Sequence, residues 1–320
     1  MSTSSRSAVP PYDVIIVGGG AAGLNAGLVL GRARRDVLIL DAGKPRNAVA
    51  ERMHGFLSRD GTPPAKLLDL ARAELKHYPN VKLVTATVKR AKRTAHGFVV
   101  TAESREQFAG RRLLLANGLR DRLPSIKNLD KLWGKSVFVC PFCDGWEFRD
   151  RKIAVYGNAK AAVGLAQELY GWSKHLTVCT EDGSLTVSPK QRRWLEATHC
   201  RLIKGPIRRL VGNDKGALKE LEFEDRRRIE CDALFLSAPL RQSCGIAKSL
   251  GCKAGWWGSI VVDDKGRTNI RGCYAAGDAV TNVHQVILAA SSGVRAAMAI
   301  CSELLSEEAD ALARTTRRAS

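Results

Sequence analysis

Acid is what this 320-residue chain is short of: 32 Asp and Glu face 51 Lys and Arg, for a formal charge of +19. A field of that sign disfavours cationic partners and favours acidic ones. The marks of nucleic-acid binding are missing too, because the basic residues come as scattered doublets and triplets. Arg34-Arg35, Arg192-Arg193, Arg208-Arg209 and Arg226-Arg227-Arg228 have no aromatic-interleaved basic stretch around them, so no nucleic acid is expected. No segment reads as a membrane span, so no membrane association is expected either. The first eleven residues, rich in serine and ending in Pro10-Pro11, carry no apolar stretch and read as a flexible arm.

Nine cysteines fall without the spacing of a disulfide framework, which favours a reducing, cytoplasmic setting. One close pair exists, Cys140 and Cys143. The other seven cysteines and six histidines supply no second pair at metal-ligand spacing, so a closed structural zinc site is the weaker reading and no metal is expected.

With 45 % apolar residues the chain can bury sizeable cores, and its length allows two domains. The clearest local signal runs from Tyr12 to Asp41. An apolar, β-branched run, Tyr12 to Val17, enters Gly18-Gly19-Gly20-Ala21-Ala22-Gly23, then a helical pattern to about Leu30, then a second strand, Val37 to Leu40, ending on Asp41. Glycines at a strand-to-helix turn let the backbone approach a pyrophosphate, and the later acid accepts hydrogen bonds from ribose hydroxyls. This predicts a dinucleotide site. The loop from Lys44 to Gly61 carries Asn47 and His54 within reach of such a ligand, and Pro64 to Tyr78 reads as an amphipathic helix.

A composition shift at Arg120-Asp121-Arg122-Leu123-Pro124 marks a crossing into a second unit. There Cys140-Pro141-Phe142-Cys143-Asp144-Gly145 places two thiols at the spacing of a small reactive disulfide, with a carboxyl behind them able to move a proton. A second strand–turn–helix follows, Lys152 to Tyr170, but its turn reads Gly157-Asn158-Ala159-Lys160-Ala161-Ala162, with alanine where a second glycine would admit a pyrophosphate. The next strand ends in Thr180-Glu181-Asp182, without an arginine for a 2′-phosphate. Two readings stay open: an NADH-selective or weak site, or a unit that keeps the fold without the nucleotide. Leu240-Arg241 begins the return to the first unit. Trp256-Trp257 reads as core or interface, and Gly272 to Asp278 followed by Gln285 ends a strand on an acid and opens a small-residue helix.

The ordered motifs Gly18 to Gly23 with Asp41, Cys140 to Asp144, and Ala275-Ala276-Gly277-Asp278 with Gln285 resemble the low-molecular-weight thioredoxin reductase family. The resemblance covers Tyr12 to Leu305 and implies an α/β chain of two Rossmann-like, three-layer (ββα/βα) domains, the FAD domain discontinuous and the smaller nucleotide-type domain inserted in it. The expected boundaries are 12–121 and 242–306 for the FAD domain, 122–241 for the insert, and 307–320 for a tail. FAD contacts are expected at Gly18, Gly20, Ala21, Ala22, Gly23, Asp41, Asn47, His54, Val88, Ala116, Gly118, Gly277, Asp278, Gln285 and Val286. In such proteins the second cysteine exchanges with the flavin and the first with the partner, which implies Cys143 and Cys140 in those roles and Asp144 as general acid.

The resemblance also implies a homodimer and thioredoxin, or a similar dithiol protein, as partner. The departures at Ala159 and Glu181 point to an electron donor other than NADPH, and the charge suits an acidic one such as ferredoxin. Competing readings are an NADH-dependent reductase, an oxidase passing electrons from a small dithiol through FAD to O₂, and a flavoprotein redox sensor without turnover.

Overall fold

The computed structural model describes residues 12–181 and 186–319; the expected arm at 1–11 and Asp182 lie outside them. Two units separate: residues 1–46, 65–120 and 241–320 form the first, and 47–64 with 121–240 the second.

In the first unit, β1 (Tyr12–Val17) leads into α1 (Ala21–Arg32) and β2 (Val37–Asp41). Then come α2 (Pro64–Leu75), β3 (Val81–Thr85), β4 (Val88–Thr94), β5 (Gly97–Ala102), β6 (Gln107–Leu115) and β7 (Leu119–Asp121). The sheet order is β3-β2-β1-β6-β5-β4. Central strands β1 and β2 are buried along almost their whole length because helices cover one face and other strands the next. They therefore read as unbroken apolar runs instead of alternating ones. The run Val81 to Val88 divides, β3 ending at Thr85 and β4 starting at Val88.

In the second unit, α3 (Leu129–Leu132), β8 (Val137–Phe138) and α4 (Pro141–Asp144) precede β9 (Ile153–Gly157), α5 (Ala159–Leu169), β10 (Leu176–Thr180), α6 (Pro189–Thr198) and β11 (Arg201–Lys204). An antiparallel trio, β12 (Ile207–Gly212), β13 (Leu218–Phe223) and β14 (Arg228–Glu230), is followed by β15 (Ala233–Leu236). The parallel sheet is ordered β11-β10-β9-β15-β8, and it buries its own apolar cluster around Val155, Val163, Val178 and Phe235. The segment Asn47–Pro64 belongs with this unit, although the sequence suggests it in the FAD part. Its buried Met53 and the close approach of the Val49 backbone to Gly134 hold it there.

The chain returns through β16 (Leu240–Gln242), which pairs with β7, then α7 (Ile246–Ser249), β17 (Cys273–Ala275) and α8 (Val286–Ala319). Strand β17 joins the first sheet beside the C-terminal half of β6, whereas β5 pairs with its N-terminal half. Helix α8 packs on α1: a Cβ at Gly293 would overlap the Ala22 backbone, so the glycine permits the close crossing.

One expectation is corrected here. Residues 307–319 are not a separate tail, since α8 continues through them and its acids hold cations around the first sheet, while residue 320 lies outside the described residues: Glu308 pairs with Arg35 and Arg111, Glu307 with Arg111 and Arg112, and Glu303 with Arg112 and Arg267. By length and composition α8 is also apolar enough to cross a membrane over Val286–Thr316. Alanines spread that apolarity over many turns, and in the fold one face of the helix lies in a core cluster with α1, a packing that calls for the same composition.

Candidate functional site

The chain crosses from β1 to α1 at the point where the sheet order reverses, since β2 lies on one side of β1 and β6 on the other. In open parallel sheets a ligand binds at the carboxyl ends of the strands at such a point. Gly18 takes a left-handed φ of 109°, and a Cβ there would overlap the carbonyl of Ala116 at the end of β6. A Cβ on Gly23 would overlap the Gly18 carbonyl, so helix and turn close onto each other only with glycine at both positions. Gly20 faces open space instead, and α1 starts with no side-chain cap and no acid in its first turn. The free N–H groups and positive end of α1 suit a pyrophosphate.

Around this turn the sequence-predicted residues gather. Gly277, with a φ of 76°, lies against Ala22; Ala116 receives its strand register from Val17; Asp41 ends β2 with its carboxyl against Gly19. Ala21 opens α1, and Gln285 and Val286 stand at the start of α8. Val88 is different: its side chain is buried in the core at the start of β4, which leaves its backbone to meet a ligand. The Asn117 Oδ1 is buried and, among the described residues, accepts no hydrogen bond. An orphaned buried acceptor beside an uncapped helix is what a missing dinucleotide leaves behind, so these residues fit FAD.

Sequence reasoning missed the side chains that orient this set. Arg72 on α2 reaches Asp41 (3.3 Å), and Arg46 lies 3.6 Å from Asp278. Gln242 donates from Nε2 to the carbonyls of Gly258 and Ala279, both 3.0 Å away, and accepts from Asn117 at 3.1 Å. None of these carries a motif, because each comes from an element distant in sequence.

The second constellation belongs to the second unit. Cys140 and Cys143 are joined in a disulfide, their Cα atoms 5.3 Å apart. Pro141 at the first position of α4 presets the turn, and the amides of Cys143 and Asp144 both donate to the Cys140 carbonyl (3.2 Å). Burial pushes the Asp144 carboxyl up to about 7, the nearby Glu147 charge pushes the same way, and His54 opposes both. A carboxyl that titrates near neutrality can give and take a proton at working pH.

Of the two loop residues expected to touch cofactor, Asn47 and His54, both fall in the second unit. His54 is held with this acid: its Nδ1 lies 3.2 Å from Asp60 and its Nε2 3.5 Å from Glu147. Asp60 also accepts from the Gly55 amide at 2.9 Å. Around the disulfide Phe142 and Trp146 are 65 % and 64 % exposed, with Trp172 edge-on to Phe142 at 5.3 Å.

The three other thiols in this unit, Cys179, Cys200 and Cys231, are all raised by burial, Cys179 to about 12 and Cys200 to about 11, and so resist ionisation. The turn after β9 differs from the turn after β1. Asn158 caps α5, its side chain accepting from the Ala161 amide at 3.0 Å and its carbonyl from Ala162 at 2.8 Å.

A glycine-turn dinucleotide cradle and a disulfide with its own acid now stand on one chain, and the sequence pattern of the pyridine nucleotide-disulphide oxidoreductases matches residues 12–293. The chain belongs to that family. It is therefore an oxidoreductase of the FAD-binding, thioredoxin reductase-like kind. Thioredoxin reductase tcpT of Claviceps purpurea (strain 20.1) is 29 % identical over 316 residues, 96 % of this chain and 97 % of that protein. The crystal structure of HlmI superposes with a TM-score of 0.90 at 34 % identity, covering 97 % of each chain. An oxidoreductase from Agrobacterium tumefaciens gives a TM-score of 0.84 at 35 % identity, over 92 % of this chain and 99 % of its own. The family is named for a pyridine nucleotide as well as a disulphide, and the capped α5 turn is where such a nucleotide would lie.

Proposed function

We propose that this flavin disulfide oxidoreductase passes electrons through Cys140 and Cys143 to thioredoxin or a similar dithiol protein, and receives them from a donor other than NADPH. The observation that carries the reading is the Cys140–Cys143 disulfide with Asp144, a carboxyl held near neutrality, directly behind it. Bound FAD supplies the two-electron couple. In the reduced protein the Cys140 thiolate attacks the partner's disulfide, forming a mixed disulfide and releasing one partner thiolate. The Cys143 thiolate then attacks the Cys140 sulfur, releases the second partner thiolate and restores the Cys140–Cys143 bond. Asp144, protonated near neutral pH, gives its proton to a departing thiolate, which eases cleavage by balancing the charge. Burial and the charges of Glu147 and His54 set the pH at which that carboxyl works, and His54 itself lies between Asp60 and Glu147.

The donor reading is supported by the Asn158 cap, which uses amides of α5 that a pyrophosphate would need, and by Glu181 after β10, whose charge opposes a 2′-phosphate. The net charge favours an acidic carrier such as ferredoxin. The same Glu181 would accept from a ribose hydroxyl, so NADH is the nucleotide that competes. A second reading, a dithiol oxidase with O₂ as acceptor, is supported by the exposed Phe142 and Trp146, an aromatic surface that suits an apolar small dithiol. A homodimer is supported by exposed Met298, Leu305 and Leu312, seven residues apart along one face of α8. The cytoplasm is the proposed compartment.

The test is anaerobic titration of the flavin absorbance with NADPH, NADH, reduced ferredoxin and a small dithiol in turn. Bleaching by ferredoxin or dithiol and not by micromolar NADPH is expected; rapid bleaching by NADPH refutes the donor reading. Hydrogen peroxide formed when air is readmitted over dithiol would turn the assignment to the oxidase.

A further inference from the structure

Trp256 and Trp257 stand on the surface, 85 % and 66 % exposed, their rings edge to face with centroids 6.4 Å apart. Of the expectation that they are core or interface, the core half is overturned: the turn Trp256–Gly258 projects between Gly255 and Ser259 instead of packing inward. Trp257 also holds a left-handed φ of 59°, a conformation that costs a bulky side chain. Two exposed indoles and a left-handed bulky residue oppose stability, while backbone and Ser259 hydrogen bonds hold the turn in shape.

The turn is fastened to the cofactor-binding end of its unit. Gln242 holds the Gly258 carbonyl and the Ala279 carbonyl with one amide group and accepts from Asn117 on its other side. Ala279 belongs to the turn that carries Gly277 and Asp278. The chain around the indoles carries more cations than acids, although exposed Asp263 and Asp264 follow it directly. From Ala233 to Val262 there is not one acid, and Arg241, Lys248 and Lys253 in that stretch are all exposed. Lys253 is tied through its amide to Asn269 (2.7 Å), two residues before exposed Arg271.

We propose that the Trp256–Trp257 turn, with Arg241, Lys253 and Arg271, is the docking surface for an acidic one-electron carrier protein, an inference that rests on the donor reading above. Tryptophan and arginine dominate the energetic centres of protein interfaces, and a cationic rim steers an acidic partner on approach. The apolar pair supplies the area, the cations the orientation, and Gln242 links the docked face to the flavin end. Two reduced carriers each give up one electron; with two protons from solvent these convert the Cys140–Cys143 disulfide to two thiols, leaving two oxidised carriers.

The FAD-loaded wild type, the double variant Trp256→Ala/Trp257→Ala, its conservative counterpart with Phe at both positions, and Lys253→Glu are compared, with ferredoxin as the carrier probe. Calorimetric affinity for oxidised ferredoxin, the stopped-flow rate of flavin bleaching by reduced ferredoxin, and sedimentation are read. Affinity and rate are expected to fall at least about tenfold in the Ala and Glu variants, to survive in the Phe variant, and to weaken with salt, while bleaching by small dithiol stays unchanged. If wild type is bleached by ferredoxin and the Ala variant behaves identically, the docking surface is wrong. Loss of a dimer in the Ala variant alone refutes it in favour of a second copy on this turn. A wild type that ferredoxin cannot bleach and NADPH can refutes the donor reading, and this inference with it.

Discussion

The pH dependence of disulfide reduction is set by the burial of Asp144 and tuned by two neighbours that pull in opposite directions. With its carboxyl near 7, about nine-tenths of Asp144 is protonated at pH 6 and somewhat under one-tenth at pH 8, so a step that needs the protonated acid slows roughly tenfold between them. Glu147→Gln removes the like charge and moves the descending limb to lower pH. His54→Ala removes the opposing cation and moves it to higher pH. Asp144→Asn abolishes the limb.

The same shift has a sign for stability. An acid raised in the folded state binds more protons folded than unfolded, so its contribution is present at low pH and lost as pH climbs from about 4 through 7. Between pH 5 and pH 8 the loss comes to about 2–3 kcal/mol. Asp144→Asn is therefore slower yet more resistant to urea than wild type at pH 8. The assay is kcat/KM for a protein disulfide from pH 5.5 to 8.5, paired with urea melts at pH 5 and 8. Parallel profiles in wild type, Glu147→Gln and His54→Ala would refute the argument.

Other outcomes follow from the same geometry. Gly23→Ala drives a methyl into the Gly18 carbonyl and lowers folded yield, whereas Gly20→Ala meets nothing in the protein, folds normally and loses FAD; the ratio of flavin to protein absorbance separates them. Cys143→Ser keeps FAD bound and ends electron exit, so retained disulfide turnover in that variant contradicts its role. Glu308 is lowered by Arg35 and Glu303 is held below its usual range by Tyr274 and Arg267 against the effect of burial. The stability from these acids is lost as pH falls, and Glu308→Gln should lower stability by about 1 kcal/mol after screening, read as a shift in Tm that vanishes near pH 3. Asn158→Ala removes the α5 cap and costs about 1 kcal/mol in urea unfolding without altering the FAD content.

What was legible in the sequence was what one short stretch can state by itself. The Gly18–Gly23 turn declares its ligand because spacing, strand and helix are contiguous, and Cys140-Pro141-Phe142-Cys143-Asp144 declares a redox disulfide for the same reason. Helix α8 hid behind alanines, its reach to Ala319 visible only once Arg35, Arg111 and Arg112 are seen holding its acids. His54 and Asp60 lie about ninety residues before Glu147, and no periodicity announces that they meet. Gln242 is plainer still: an isolated glutamine whose three partners come from three separate segments. Trp256-Trp257 read as core or interface, and the core half fails because a left-handed turn leaves both indoles exposed.

Strand β6 has two neighbours on the same edge, β5 along its first half and β17 along its second, and β17 lies more than 150 residues later in the chain. During synthesis the ribosome releases everything needed for the second unit, through residue 240, before it delivers Cys273–Ala275. The insert can finish folding while its host still has an open strand edge at Leu113–Leu115. Nascent chains stalled before residue 273 would therefore carry a finished domain inside an unfinished one, and would be the stage at which a chaperone matters most.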